Sequence, residues 1–275
     1  MEFYEHDNII EITGISDFDL YKTFECGQCF RWSADNNGVY TGVAYGKAVK
    51  LRKNGKSIFI TCSVSDFNEI WIKYFDLKRD YAVIRKQLCI DDFMKTATEF
   101  GEGIRILRQD KWEALCSFII SQNNNISRIK KIIASLCRWY GDDICFEGER
   151  FYSFPSAVVL SGLNISDLAD LRCGYRAGYI LSAAKAVASG EINLNNIAVC
   201  SQEKARFELK KLYGVGDKVA DCVMLFGLHN LDVFPLDVWM KRAVAKYYGP
   251  GFDPDIFSPY AGIAQQYIFH FIRNS

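Results

Sequence analysis

The stretch Leu212-Tyr-Gly-Val-Gly-Asp-Lys-Val-Ala-Asp-Cys-Val-Met-Leu-Phe-Gly227 carries the chain's most chemically pointed spacing. A helical pattern over residues 204–211 precedes Gly214-Val-Gly216, and a second helical pattern follows with Lys218 in its first turn. Helix, glycine turn, helix describes a helix-hairpin-helix. Gly214 and Gly216 permit a tight turn and let backbone N–H groups at the second helix's start approach a phosphate. Such contacts hold a nucleic-acid backbone without reading a base. Lys218 faces the positive end of the helix dipole, which disfavours its ammonium form and makes a neutral amine nucleophile more accessible. Downstream, Phe234-Pro-Leu-Asp-Val-Trp239 puts Pro235 and Asp237 where another helix starts. A carboxylate there can counter positive charge developing on a sugar as its base departs. Singly, these residues have ordinary explanations, a solvated lysine and an N-cap aspartate. Together, the glycine hairpin, the lysine and the Pro-x-Asp leave those ordinary explanations a poor account of the set.

The elements that must position them fall into an α+β plan. Residues 39–43, 48–52 and 57–61 are β-rich runs, with Asn37-Gly38 and Asn54-Gly55 as hairpin turns, so an antiparallel sheet is expected between about Gly27 and Ser63. Helical segments follow near residues 67–88. From about Thr96 the period changes: Trp112, Leu115, Cys116, Ile119 and Ile120 share one helix face, and Ile126, Ile129, Ile132, Ile133, Leu136, Cys137 and Tyr140 share another that stops at Gly141. The polar run Ser121-Gln-Asn-Asn-Asn125 separates them, and a further helix is expected over residues 179–189, ending at Gly190. The expected division is an antiparallel β-rich domain over residues 1–95, followed by an all-α helix-hairpin-helix domain over residues 96–275.

With 275 residues, 49% of them hydrophobic and 15% aromatic, the chain can bury a large core. No apolar run approaches the ~18 residues that span a bilayer, and the polar N-terminus does not read as a secretory signal, so a soluble intracellular protein is expected. The ten cysteines are spread singly, which favours reduced thiols, and Cys26-Gly-Gln-Cys29 lacks a second pair or a nearby histidine for zinc and reads as a turn. Lys+Arg and Asp+Glu both number 33, so any nucleic-acid contact needs a basic face, not a basic average.

On these residues the chain resembles the helix-hairpin-helix DNA glycosylases with a Gly/Pro-rich loop and Asp, and within them the eukaryotic-type 8-oxoguanine DNA glycosylase/lyases. The resemblance runs from Gly27 to Phe271. It implies that Lys218 attacks the sugar C1′, forms a Schiff base and permits β-elimination, with Asp237 required. Cys26-Gly-Gln-Cys-Phe-Arg-Trp32 is similar to the segment whose glycine, here Gly27, offers its carbonyl to the N7–H that 8-oxoguanine has and guanine lacks. Guanine would set an N7 lone pair against that oxygen, leaving two acceptors unpaired. Ala261-Gly-Ile-Ala-Gln-Gln-Tyr-Ile-Phe269 resembles the helix whose glutamine, Gln265, reads the base's pairing edge and whose phenylalanine, Phe269, stacks on it, with Cys222 on the other face. Ser121–Arg128 and Gly174-Tyr-Arg176 are similar to the segments that fill the gap and hold the orphaned cytosine: Asn123 inserts, Tyr175 wedges, Arg128 and Arg176 donate to the cytosine.

Trp239 departs from the histidine common at its position, and Gln122 from a serine. No cysteine follows Cys222, so the iron–sulfur loop of the endonuclease III branch has no ligands here. The resemblance implies a monomer acting on double-stranded DNA that contains 8-oxoguanine, without cofactor, metal or membrane, nuclear in a eukaryote or cytoplasmic and nucleoid-associated in a prokaryote. Two alternatives stay open on the residues: a monofunctional alkylpurine glycosylase, which characteristically lacks the lysine, and a non-catalytic duplex-binding module.

Overall fold

Six strands form one antiparallel sheet: β1 (Glu2–His6), β2 (Ile9–Thr13), β3 (Trp32–Ala34), β4 (Tyr40–Ala44), β5 (Lys47–Asn54) and β6 (Ser57–Thr61), in the order β1-β2-β6-β5-β4-β3. The structure, a computed structural model, describes residues 1–274. Strands β4, β5 and β6 lie where alternation and the two turns place them. Strands β1 and β2 correct the expectation that the sheet begins near Gly27. β1 is exposed throughout and so carries no period-two apolar signal, while Ile10 and Ile12 of β2 are buried. The turn between them, Asp7-Asn8, has both residues at positive φ (44° and 63°), the geometry of a tight two-residue hairpin.

The sheet's core is aromatic: Phe24, Trp32, Trp71, Tyr74 and Phe75 pack beneath it, with Phe24 and Trp32 stacked at 4.1 Å. Helix α1 (Leu20–Glu25) crosses this core, capped by Asp19, whose side chain accepts from Lys22 N. It delivers the chain to Cys26 and Gly27.

The larger core belongs to the helices. In chain order these are α2 (Tyr81–Leu88), α3 (Asp92–Phe100), α4 (Lys111–Ser121), α5 (Ile126–Tyr140), α6 (Arg176–Ala188), α7 (Gln202–Leu209), α8 (Asp217–Phe226), α9 (Val238–Tyr247) and α10 (Ala261–Asn274), with shorter helical turns between some of them. Helix α5 buries Ile129, Ile132, Ile133, Leu136 and Cys137 and is capped by Asn125, which accepts from Arg128 N at 2.9 Å. Such a cap contributes about 1 kcal/mol and fixes where the polar loop ends and the helix begins. Helix α6 starts at Arg176, one turn earlier than apolar periodicity indicates, because Arg176 itself is buried.

The second part is helical, as expected, and carries one small two-stranded addition. Strands β7 (Asp143–Phe146) and β8 (Glu149–Tyr152) form a hairpin after α5, turned by Glu147 and Gly148, both at positive φ. Its tip reaches the first sheet, where Lys50 Nζ meets Glu147 at 2.6 Å. Interior polar links tie the two cores further. Gln28 Nε2 donates to Thr23 O and Arg105 O at 2.9 and 2.7 Å, its Oε1 accepts from Leu107 N, and Gln109 Nε2 donates to Gln28 O. All ten cysteines are free.

Candidate active site

The helix-hairpin-helix forms as the glycines demand. Gly214 sits at φ +83°, and a methyl group there would lie 2.2 Å from Tyr179 Cδ2, so both conformation and space exclude a side chain. Gly216 is the N-cap of α8 and would present a methyl group to open space, leaving the first N–H groups of α8 approachable from outside. Arg206 Nε meets Asp221 Oδ1 at 2.7 Å, which pins α7 to α8 behind the turn.

Lys218 is the second residue of α8 and half-buried, with Nζ 5.6 Å from the Phe118 ring centroid. One turn on, burial pushes the Cys222 thiol up to about 11, opposed by the Lys218 ammonium and reinforced by Asp221 and Asp237. Cys222 is therefore a neutral thiol at ordinary pH.

Asp237 is the N-cap of α9: its Oδ1 accepts from Met240 N at 2.8 Å. The ordinary role and the chemical one coexist, because the cap uses one oxygen and locks the carboxylate's direction. No hydrogen bond among the described residues engages Oδ2. Trp239, in the first turn of α9, is 47% exposed, with the Arg242 guanidinium 5.8 Å from its ring centroid.

A second group converges on Gly27. It adopts φ +86°, and a methyl group on it would lie 3.5 Å from Phe269 Cε1 and 3.6 Å from both Arg273 Nη1 and Ile126 Cδ1. The turn that ends α1, the face of α10 and the start of α5 thus meet at one glycine. Phe269 is half-buried under Arg273, whose guanidinium is 5.9 Å from the ring centroid. Gln265 is 5% exposed, and its Oε1 is buried without a hydrogen-bond partner among the described residues.

The polar loop forms a third group. Asn123 is exposed at φ +46°, and its Nδ2 lies 3.4 Å from Tyr175 Oη. The Arg128 side chain is exposed and makes one bond, to Arg172 O at 2.8 Å. Arg176 differs from what its sequence position suggests. It is 5% exposed and donates to the carbonyls of Gln122, Asn123 and Cys173, beneath the Tyr175 ring at 4.6 Å. In this arrangement its guanidinium holds the loop.

Sequence reasoning passed over Gln266, Arg273 and Ile126. Two adjacent glutamines in an apolar helix were the available signal for Gln266. The surface hollow of about 920 Å³ lined by Leu163, Ile165, Lys185, Lys211 and Tyr213 includes neither Lys218 nor Asp237 and plays no part in this geometry. Among the described residues, no group of three or more His, Cys, Asp or Glu side chains is placed to hold a metal ion, and no helix is long and apolar enough to cross a membrane.

Residues 12–115 match the family described as 8-oxoguanine DNA glycosylase, N-terminal domain, and residues 116–255 match the HhH-GPD superfamily of base excision DNA repair proteins. The chain belongs to this superfamily. Within it, an N-glycosylase/DNA lyase of Saccharomyces cerevisiae is 33% identical over 259 residues, spanning 85% of this chain and 69% of that one. The structure of MBOgg1 in complex with a low-affinity DNA ligand superimposes with a TM-score of 0.95 at 44% identity, over 99% of this chain and 98% of that one. A Clostridium acetobutylicum 8-oxoguanine glycosylase/lyase, solved with double-stranded DNA containing cytosine opposite 8-oxoG, gives 0.94 at 37% identity over 99% and 98% of the two chains. In this chain the hairpin and the Pro-x-Asp segment bracket α8, which carries Lys218 and Cys222.

Proposed function

We propose that this HhH-GPD protein is a bifunctional DNA glycosylase and AP lyase that excises 8-oxoguanine from duplex DNA, preferentially opposite cytosine, in base excision repair. The observation that supports the mechanism is the helix-hairpin-helix turn itself, with Gly216 as the N-cap of α8, half-buried Lys218 in that helix's first turn and buried Cys222 one turn on.

In this reading the flipped base lies between Cys222 and Phe269, with its pairing edge toward Gln265 and its N7–H toward the Gly27 carbonyl. The Lys218 amine bonds to C1′, the C1′–N9 bond breaks, and its electron pair leaves with the base, which takes up a proton. Asp237 offsets the positive charge that spreads over the sugar as this bond lengthens. Opening of the ring yields a C1′ iminium on Lys218. Loss of a C2′ proton then expels the 3′ phosphate, and water frees the lysine. Gly216 and the exposed start of α8 take the DNA backbone, while Asn123 and Tyr175 occupy the gap. A protein with this activity would work where the chromosome is, in a nucleus or at a nucleoid.

Borohydride trapping tests this. Duplexes carrying 8-oxoguanine opposite cytosine, 8-oxoguanine opposite adenine, or unmodified guanine are each incubated with wild type and Lys218→Gln. A covalent adduct formed by wild type alone, strongest opposite cytosine, is expected. Base release without any adduct would leave the monofunctional reading, and neither would leave a DNA-binding module.

A further inference from the structure

Gln266 follows the glutamine assigned to the base, yet points elsewhere, since successive helical residues diverge by about 100°. It is 2% exposed, and its Nε2 donates to Cys26 O at 2.8 Å, joining α10 to the turn after α1. Cys26 O belongs to the peptide immediately before Gly27.

The peptide on the other side is fixed as well. Gln28 is fully buried, with its side chain bonded to Thr23 O, Arg105 O and Leu107 N, and Gln109 holds its backbone carbonyl. Gly27 is thus clamped from both sides at φ +86°, a conformation in which an unclamped glycine is free to turn. No hydrogen bond among the described residues engages the Gly27 carbonyl. Its direction is set entirely by its neighbours.

We propose that Gln266 is a positioning residue for lesion discrimination: by holding the Cys26 carbonyl, it aims the Gly27 carbonyl at the N7 position of the flipped base. This rests on the reading of Gly27 given above. Discrimination by one acceptor depends on its angle and distance, so rotation of the Gly27 peptide weakens the bond to 8-oxoguanine and relieves the repulsion of guanine together. Removing the Gln266 donor also leaves a buried carbonyl unpaired, which drives that rotation.

The test is Gln266→Met, which keeps length and volume but has no donor. Single-turnover base release is measured from 8-oxoguanine opposite cytosine and from guanine opposite cytosine, alongside strand cleavage at a preformed abasic site, which requires no base reading. The expected result is a loss of about 10-fold in the 8-oxoguanine to guanine ratio, with abasic-site cleavage within about 2-fold of wild type. An unchanged ratio, or base release and abasic-site cleavage falling in parallel, overturns the proposal. Should Gln266→Met fail to fold, Gln266→Glu presents an acceptor to the Cys26 carbonyl at the same length, and the same ratio decides. A wild-type enzyme that releases guanine as readily as 8-oxoguanine would sink the Gly27 reading itself, whatever the variants do.

Discussion

Arg176 and Gln122 are joined through the guanidinium: Nε donates to the Gln122 carbonyl at 2.7 Å, Nη2 donates to the same oxygen, and Nη2 also reaches Asn123 O at 2.8 Å. The loop that carries Asn123 therefore rests on a buried arginine. The Arg128 side chain stands exposed with a single bond to Arg172 O. Two arginines that look equivalent in sequence are in different employment.

Their variants should differ accordingly. Arg128→Ala is expected to erode the preference for cytosine over adenine opposite the lesion by about 10-fold, the usual scale for one bidentate base contact. Arg176→Ala should weaken binding to both duplexes alike, because it loosens the loop itself. Lysine should not rescue Arg176, since it lacks the planar fork that spans two carbonyls. Binding measured on the two duplexes at one salt concentration checks this, and a cytosine-only loss for Arg176→Ala would return that residue to base reading.

Asp237 allows its structural and chemical roles to be separated. Asparagine caps a helix as well as aspartate does, so Asp237→Asn should leave stability within about 0.5 kcal/mol while Asp237→Ala costs about 1 kcal/mol. Both should slow base release about 100-fold or more, through loss of the negative charge. Urea unfolding beside single-turnover kinetics gives the comparison. Full activity in Asp237→Asn would reduce the residue to a cap.

A side chain at Gly27 would meet Phe269, and the ring is only half-buried, so one part of it is open to a ligand. Phe269→Ala should weaken binding to 8-oxoguanine duplex by roughly 1–3 kcal/mol of lost stacking. Binding to a duplex with an abasic site should hardly change, because no base is there to stack. Equal losses on both duplexes would assign the ring to packing alone.

The parts of the molecule legible in sequence were those with a strong local period or a short motif. Helices α4 and α5, strands β4 to β6, the glycine hairpin and the start of α9 each carry their own signal. Strand β1 had none, because an edge strand exposed on both faces shows no alternation, although Asp7-Asn8 is the kind of dipeptide that turns a hairpin. Strands β7 and β8 were hidden inside a helical stretch, with Glu147-Gly148 as their one clue. What no local pattern could supply is partnership across the chain: that Arg176 faces inward, that Gln266 holds Cys26, or that Gly27 lies against Phe269.

Three tyrosines form such a partnership. The Tyr175 and Tyr179 rings lie 5.4 Å apart at 61°, and those of Tyr179 and Tyr213 lie 4.9 Å apart at 87°. The chain of edge contacts links the turn that carries Tyr175 to the glycine hairpin. Tyr213→Ala and Tyr175→Ala should therefore be non-additive in binding to 8-oxoguanine duplex by about 0.5–1 kcal/mol, even though the two substitutions remove rings that meet only through Tyr179. In a Tyr179→Leu background that coupling should vanish. Strict additivity in the wild-type background would show the turn and the hairpin acting independently.

The stability of the molecule should depend on pH through the cluster around Asp76, at the junction of the two cores. Asp76 accepts from Arg79 Nε at 2.6 Å, Tyr81 Oη at 3.2 Å and Arg108 Nη2 at 3.2 Å, with His229 Nε2 at 3.4 Å. Burial alone pushes its carboxyl up, but His229 and Arg79 outweigh this and hold it well below the usual carboxylate range. Burial pushes the His229 imidazole down despite Asp76, and His270 is lowered by burial together with Lys22 and Arg273. A histidine held low binds fewer protons folded than unfolded. Its contribution is complete above the unfolded value of about 6.5 and is lost as pH falls from there toward the folded value. The Asp76 contribution is complete above about 3.9 and is lost only as pH falls below that, toward its folded value. Urea midpoints should therefore decline as pH drops from about 6.5, and less steeply in His229→Gln, where His270 alone retains its share. Asp76→Asn should cost about 1–3 kcal/mol near neutrality, a discounted figure because Arg79 and Arg108 keep 30% and 43% of their side-chain exposure. Below about pH 4 the difference between Asp76→Asn and wild type should shrink as the carboxylate is titrated. Stability that instead rose between about pH 7 and 5.5 would mean that attraction between a protonated His229 and Asp76 outweighs burial.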